Sequence, residues 1–343
     1  MKLLSIIIPA YNVQKYIKKA IESCIIDNVM SSIEILVIND GSTDKTQDIA
    51  IKYAKKFPNS IRVVNKRNGG HGSTINTGIP LSEGKYVRVL DGDDWLDTDE
   101  LIDILPVLAQ NDVDIIATNY TEVYPDGRRR ERAIKHEFES KKQYCFEDVC
   151  GLISVLRFHS ILYNRRLFND NQIKKLDEYC YYVDIEYITY PIPYVNSIIF
   201  VDRSLYNYRV GNENQSVSKS SYLRNYKQHE HVTIEIASFY EINKERISWH
   251  KSEYIQRTAC DMILKTFQIY SMMSKRQAKI AMQRFDSMLQ AKAPSVYSDE
   301  TDDRIRFIRW SRYNLIAIGI YDFIRQMRIK LGIRTRLKKW LNK

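Results

Sequence analysis

The chain has 343 residues, 44% hydrophobic and 27% charged, which excludes a disordered protein and allows a sizeable core in about two domains. Its formal charge is +10, yet twelve Lys and Arg against the single acid Asp322 place +11 between residues 304 and 343, leaving the other 303 residues at −1. A near-neutral body argues against a nucleic-acid partner and directs the basic tail to an anionic membrane surface, although its longest apolar stretch, residues 315–320, is far short of the ~20 residues a spanning helix needs.

Residues 3–8 form an apolar run of strand length. They are too short for a signal peptide and lack a small-residue cleavage site, so they read as a buried first strand. A helical stretch over 13–26 follows, then a second apolar run at 33–38, closed by Asn39-Asp40-Gly41. Ser42 or Thr43 is expected to cap a helix reaching Phe57, with Pro58 as its stop. Residues 61–64 predict a third strand, 74–81 a helix, and 86–90 a fourth strand. Strands apolar on both faces and separated by helices predict a parallel sheet covered on two sides, with ligands bound beyond the carboxyl ends of its strands.

Further along, 101–110 reads as a helix and 114–118 as a strand. Tyr124-Pro125-Asp126-Gly127 marks a hairpin turn, and 198–201 and 205–208 read as short strands. Helical periodicity dominates from Tyr222, interrupted at Pro294-Ser295. The domains expected are 1–220 for the sheet, 221–300 for a helical region, and 301–343 for the basic tail. Five cysteines without a CxxC pair (Cys24, Cys145, Cys150, Cys180, Cys260) indicate reduced, buried thiols in a cytoplasmic protein.

The chemistry is expected at the strand ends. Asp91-Gly92-Asp93-Asp94 follows the fourth strand, and carboxylates at i and i+2 there can hold Mg²⁺ or Mn²⁺ on a diphosphate. Asp94 and Asp97 are expected only to start the next helix. Asp40 can accept from a base N–H or a ribose hydroxyl. The loop Asn68-Gly69-Gly70-His71-Gly72-Ser73 opens a helix and offers backbone N–H groups to a phosphate, with His71 either touching the diphosphate or ordering the loop.

Four motifs in this order, Ser5–Asn12, Val37–Asp44, Asn68–Gly78 and Asp91–Asp94, resemble the family 2 glycosyltransferases, bacterial enzymes of surface polysaccharide and glycoprotein synthesis. The match is strong over about residues 3–100 and weaker to about Ser218. The resemblance implies an α/β GT-A fold, a Rossmann-like nucleotide-diphospho-sugar transferase sheet with a C-terminal helical region. It also implies inverting transfer from a UDP-sugar to a glycan acceptor, with Mn²⁺ or Mg²⁺. Pro9 and Tyr11 would line the uracil pocket and Asp40 would bond uracil. Asn68 and Gly70 would contact the donor, Asp91 would hold ribose or donor sugar, and Asp93 would bind the metal. Asp184 would be the base, in a stretch where Val183 replaces the family's preceding Glu, which leaves Glu186 as a second candidate. Tyr206–Arg209 and Gln215–Ser218 resemble the segment that closes over the donor, with Arg209 set against the diphosphate. His159 falls where the acceptor would approach, as a contact or a structural histidine.

The apolar residues of 313–343 fall at helical spacing among cations. This fits either an interfacial helix serving lipid-linked acceptors at the inner membrane face or a helix packed on the body. Two other readings stand beside the transferase. A sugar-nucleotide pyrophosphorylase would need a Gly-rich basic loop after the first strand, where Pro9-Ala10-Tyr11-Asn12 stands. A non-catalytic membrane- or nucleic-acid-binding module would leave the strand-end aspartates idle.

Overall fold

The computed structural model describes residues 2–134, 138–170, 172–211, 218–298 and 303–314, together with 316, 318 and 319. The segment Gln215–Val217 and most of the expected tail helix, residues 315, 317 and 320–343, lie outside the described residues, while Tyr313 and Ile318 at its start pack against the core of the body. Ten strands form one mixed sheet: β1 (Leu4–Ala10), β2 (Ile33–Asn39), β3 (Ile61–Asn65), β4 (Tyr86–Val89), β5 (Trp95–Leu96), β6 (Ile115–Val123), β7 (Arg129–Arg132), β8 (Gln143–Cys145), β9 (Ile161–Asn164) and β10 (Ser197–Arg209). Their order is β3-β2-β1-β4-β9-β6-β10-β5, with β7 on β6 and β8 on β10. The first four strands are parallel, as expected. β9 then runs antiparallel to both β4 and β6, so the sheet is mixed rather than parallel throughout.

The apolar runs are continuous because each face of the sheet has its own core. Leu4, Ile6 and Ile8 of β1 face one cluster with Ile35 and Val37, while Ile7 faces another with Leu36 and Ile38. The first face is covered by α1 (Ile17–Glu22), α2 (Thr46–Lys56) and, after α3 (Gly70–Leu81), by α4 (Thr98–Gln110). The second face takes α3, α5 (Phe146–Cys150) and α6 (Asp184–Thr189). It then takes the helices after the sheet: α7 (Lys219–Arg224), α8 (Tyr226–Asn243), α9 (Trp249–Ser271) and α10 (Lys275–Lys292). Their apolar core is continuous with that of the sheet through Val232, Tyr254 and Phe267. The Tyr254 hydroxyl also accepts from Leu156 N at 2.7 Å, and Arg257 caps the carbonyls of Ile153 and Cys150. Among the described residues no helix is long and apolar enough to cross a membrane.

Several boundaries differ from the sequence reading. The first helix begins only at Ile17, because residues 11–14 are bonded to the loop after β2: Asn12 Oδ1 accepts from Thr43 N at 2.8 Å and Gln14 N donates to Asp44 at 3.1 Å. α2 is started by Asp44, which accepts from Thr46 N, and not by a Ser42 or Thr43 cap. The two short strands expected at 198–208 are one thirteen-residue strand interrupted by bulges between Val201 and Tyr206. None of the cysteines forms a disulfide, but only Cys24 and Cys150 are buried: Cys180 and Cys260 are half-buried and Cys145 is exposed.

Polar residues lock the strands at the end of the sheet away from the site. Buried Glu34 accepts from Ser5 Oγ at 2.5 Å, Arg62 at 2.8 Å and Glu83 N at 2.9 Å, tying β1, β2 and β3 to the turn before β4. In that turn Gly84 donates to Ser5 Oγ at 2.8 Å, and a Cβ there would sit 2.5 Å from Ser5 N and 2.7 Å from Leu4 C. The obstacle is backbone, so Gly84→Ala is expected to destabilise the protein by about 1–3 kcal/mol, measured as a lower urea midpoint. An unchanged midpoint would show that the β1–β4 edge yields freely.

Candidate active site

The site lies where the strand order reverses, between β1 and β4. The turn Asp91–Asp94 leaves β4 here and passes so close to β1 that a Cβ on Gly92 would lie 2.8 Å from the Pro9 carbonyl oxygen. The next two residues pair with β10, Leu96 opposite Tyr206 and Trp95 opposite Asn207. The acidic turn is therefore held from both sides. Tyr206 donates its hydroxyl to Asp94 Oδ2 at 2.8 Å and accepts from Asp91 N at 3.2 Å. Arg209 donates its main-chain N–H to Asp94 Oδ1 at 2.7 Å and its Nε to the Asp93 carbonyl at 2.9 Å. Its guanidinium lies against the rings of Tyr16 and Trp95, at 4.8 and 5.0 Å.

Asp94 is thus a site residue, which corrects the expectation that it merely starts the following helix. It is 2% exposed, while Asp97 is the residue that caps α4 by accepting from Glu100 N. Oxygens of Asp91 and Asp94 and a ring nitrogen of His159 all lie within 4.8 Å of one another. Asp93, the carboxylate assigned to the metal from sequence, stands outside that group, and His159, weighed as an acceptor contact or structural residue, stands inside it. Two carboxylates and an imidazole make a mixed oxygen and nitrogen donor set, which fits a divalent metal without selecting one.

The electrostatics follow from confinement. Burial, then the neighbouring Asp91 charge, raises Asp93 to about 6. Burial and both neighbouring carboxylates push Asp94 well above the carboxylate range. Burial lowers His159 to about 4, leaving it neutral with a lone pair for coordination; its ring stacks on Tyr208 at 4.2 Å. His71, in the first turn of α3, bonds Asp91 Oδ1 through Nε2 at 2.8 Å. Burial opposes charge on His71, but Asp91 outweighs it and raises the histidine while holding the Asp91 carboxyl low. Asp184 opens α6 and faces His71, Asp91 and Arg157. Burial raises its carboxyl.

Glu186, the other candidate base, is 0% exposed and turned into the fold, where it accepts from Asp177 N at 2.8 Å and from the Tyr190 hydroxyl. That leaves Asp184 as the carboxylate of this stretch that reaches the site. Pro9 is buried in β1, and Tyr11 stands 51% exposed on the loop pinned by Asn12 and Gln14. Asp40 is 2% exposed and accepts from Lys66 Nζ at 2.9 Å, Gly69 N at 2.9 Å and Gly70 N at 2.8 Å. Asn68 donates its amide to the Asp40 carbonyl at 3.1 Å. The glycine-rich loop is therefore not an open phosphate cradle. Two of its N–H groups are taken by Asp40, whose charge also suits the start of α3. Gly70, at φ +83°, and Gly72 lie against the backbone of 177–179, where a Cβ on Gly72 would be 2.2 Å from the Asp177 carbonyl oxygen.

Lys66 and Arg88 are site neighbours the sequence reading passed over, and Tyr206, read only as part of the segment over the donor, proves to hold the acidic turn. Arg88 carried the one available signal, a charge in the middle of an apolar strand.

Residues 5–171 match the model of glycosyl transferase family 2. Among curated proteins, the minor teichoic acid biosynthesis protein GgaB of Bacillus subtilis (strain 168) is 35% identical over 141 residues, 40% of this chain and 15% of that protein. Across eight curated relatives that it matches, the chain spans between 13 and 60% of their length. S. aureus TarS 1–349 in complex with UDP-GlcNAc superposes with a TM-score of 0.63 at 18% identity, covering 94% of this chain and 92% of that one. Mannosyltransferase PcManGT from Pyrobaculum calidifontis, in complex with GDP-Man and Mn2+, gives 0.51 at 14% identity, covering 93 and 86%. Both likenesses are of fold.

The raised Asp93 carboxyl makes a stability prediction. Between its unfolded value near 4 and its folded value of about 6 the native state binds the extra proton, so stability falls as pH rises through that window. In EDTA at pH 7.5, Asp93→Asn is expected to stabilise the protein by about 1–3 kcal/mol in urea unfolding, with the gain shrinking as pH falls from 6 toward 4. Equal stability of the two proteins at pH 7.5 would refute the confinement of this charge.

Proposed function

We propose that the chain, whose residues 5–171 match glycosyl transferase family 2, is a glycosyltransferase of GT-A fold that moves a hexose or N-acetylhexosamine from a UDP-sugar to a glycan acceptor with inversion, in cell-surface polysaccharide synthesis. The observation that carries this reading is the convergence of Asp91, Asp94 and His159 beside Asp184, at the carboxyl ends of parallel strands. The nucleotide complexes of TarS and PcManGT support a sugar nucleotide as donor, and the Mn2+ of PcManGT supports a divalent cation.

In this reading Tyr11 stacks on uracil beside Pro9. Asp40 acts through the loop it ties, including Asn68 and Gly70, and Arg209 adds positive charge near the diphosphate. A divalent cation, Mn²⁺ or Mg²⁺, would be held by Asp91, Asp94 and His159 with Asp93 alongside, and would stabilise charge on the leaving diphosphate. Asp184 removes the proton of the acceptor hydroxyl as its oxygen bonds the anomeric carbon. The bond from that carbon to the diphosphate oxygen breaks, and UDP leaves with the electron pair. Burial raises the Asp184 carboxyl and makes it a stronger base than a solvated aspartate. The +11 charge of residues 304–343 supports an anionic inner membrane face as the place where a lipid-linked acceptor is met.

Asp184→Asn is expected to lower kcat about 10²–10⁴-fold while leaving UDP-sugar binding within a few-fold of wild type. The checks are turnover with a panel of UDP-sugars and calorimetric UDP binding in Mn²⁺. Unchanged turnover would remove Asp184 as the base.

A further inference from the structure

Arg88 has no part in the steps above, yet it is among the largest fully buried side chains of the protein. It lies in β4 opposite Ile6 of β1, where both neighbours in its strand are apolar. A guanidinium removed from water is costly unless its charge and donors are answered. The titratable groups facing it include Tyr206, Tyr187, Cys24 and His159, none of them a carboxylate. Its Nε and Nη1 find no hydrogen-bond partner among the described residues.

What Arg88 does touch is specific. Its Nη2 donates to the carbonyl oxygen of His159. Its guanidinium carbon lies 5.0 Å from the centre of the Tyr206 ring, within cation–π reach. The same ring meets the His159 imidazole edge-on at 4.9 Å. The Tyr206 hydroxyl then reaches Asp94 Oδ2 and Asp91 N.

We propose that Arg88 is a positioning residue for the cation site: one buried guanidinium fixes both the short turn that presents His159 and the ring whose hydroxyl aims Asp94 and Asp91. The inference rests on reading Asp91, Asp94 and His159 as cation ligands. His159 and the two aspartates come from different elements, the turn Phe158–Ser160 and the loop after β4. A single buried contact to both is what keeps their spacing fixed without cation. A methionine of similar length would fill the volume. It would neither donate to the 159 carbonyl nor draw the Tyr206 ring, and a lysine would do both in part.

The test is Mn²⁺ binding to the full chain, read by electron paramagnetic resonance of free Mn²⁺, with thermal unfolding followed in parallel. Arg88→Met is expected to weaken Mn²⁺ about 10–100-fold, the range for groups that orient metal ligands, and Arg88→Lys to recover most of that loss. Equal affinity of wild type and Arg88→Met, or equal losses in the Met and Lys variants, would overturn the proposal. Should Arg88→Met fail to fold, Arg88→Lys and Tyr206→Phe form a double-mutant cycle. Their losses are expected to be less than multiplicative because both act through one ring, and multiplicative losses would overturn the proposal. A wild-type protein that binds no Mn²⁺ would instead refute the cation site itself, and this inference with it.

Discussion

The constraint on which the site depends is the confinement of charge: Asp91, Asp93, Asp94 and Asp184 lie in one partly buried volume, where burial first and neighbouring carboxylates second raise Asp93, Asp94 and Asp184, while His71 holds Asp91 low. Unanswered, such charges would drive the turn after β4 apart or leave it protonated. The answers come from separate elements. α3 supplies His71 to Asp91, and β10 supplies the Tyr206 hydroxyl and the Arg209 main chain to Asp94. Residual repulsion remains at Asp93, the carboxylate with least support. A site that keeps such tension is ready for a cation, whose binding releases both the protons and the repulsion.

The long strand β10 exists in this form for the same reason. It runs parallel to β6 with a register that changes before its end, where Tyr206 and Asn207 also pair antiparallel with β5 on the other side. The bulges between Val201 and Tyr206 absorb that change and re-aim the last residues of the strand. Tyr206, Tyr208 and Arg209 then stand over the acidic turn. β5 has only two residues, yet it fixes the turn, because it begins where the turn ends.

The half of the site that carries Asp40 and the acidic turn was legible in the sequence because it is built from contiguous strand ends. Apolar runs of strand length followed by Asp40 and by Asp91–Asp94 determine where those residues sit in a parallel sheet, and the structure places them there. Partnership within the site was not legible. Asp94 reads as a helix start because its true partners, Tyr206 and Arg209, lie more than a hundred residues away and meet it only through β-pairing. The glycine-rich loop reads as a phosphate cradle because nothing in its local spacing reveals that Asp40 occupies its N–H groups. Glu186 and Asp184 differ by two residues on a short helix. Only the packing of α6 shows that one is turned into the core and the other to the site.

The side of the site that carries Asp184 depends on helices that the strand pattern does not contain. Tyr179 and Tyr182 both adopt positive φ, +55° and +68°, in the four residues leading to Val183 and Asp184, a conformation bulky residues adopt only when surrounding structure imposes it. The imposing groups come from two sides. Gly69 accepts from Tyr179 N at 2.5 Å, and α8 holds the other side through Gln228 on Tyr181 N and His231 on Asp177. Tyr222 of α7 stacks on Tyr182 at 5.7 Å. The family match ends at residue 171, before Asp184, Arg209 and Tyr222. The shared part of the chain thus builds the strand-end turn, while the helices after it, outside that match, set the orientation of the proposed base. Changes in α7 and α8 would then act first on the 177–183 backbone that leads to the proposed base, and through the glycine loop it leans on, on the acidic turn.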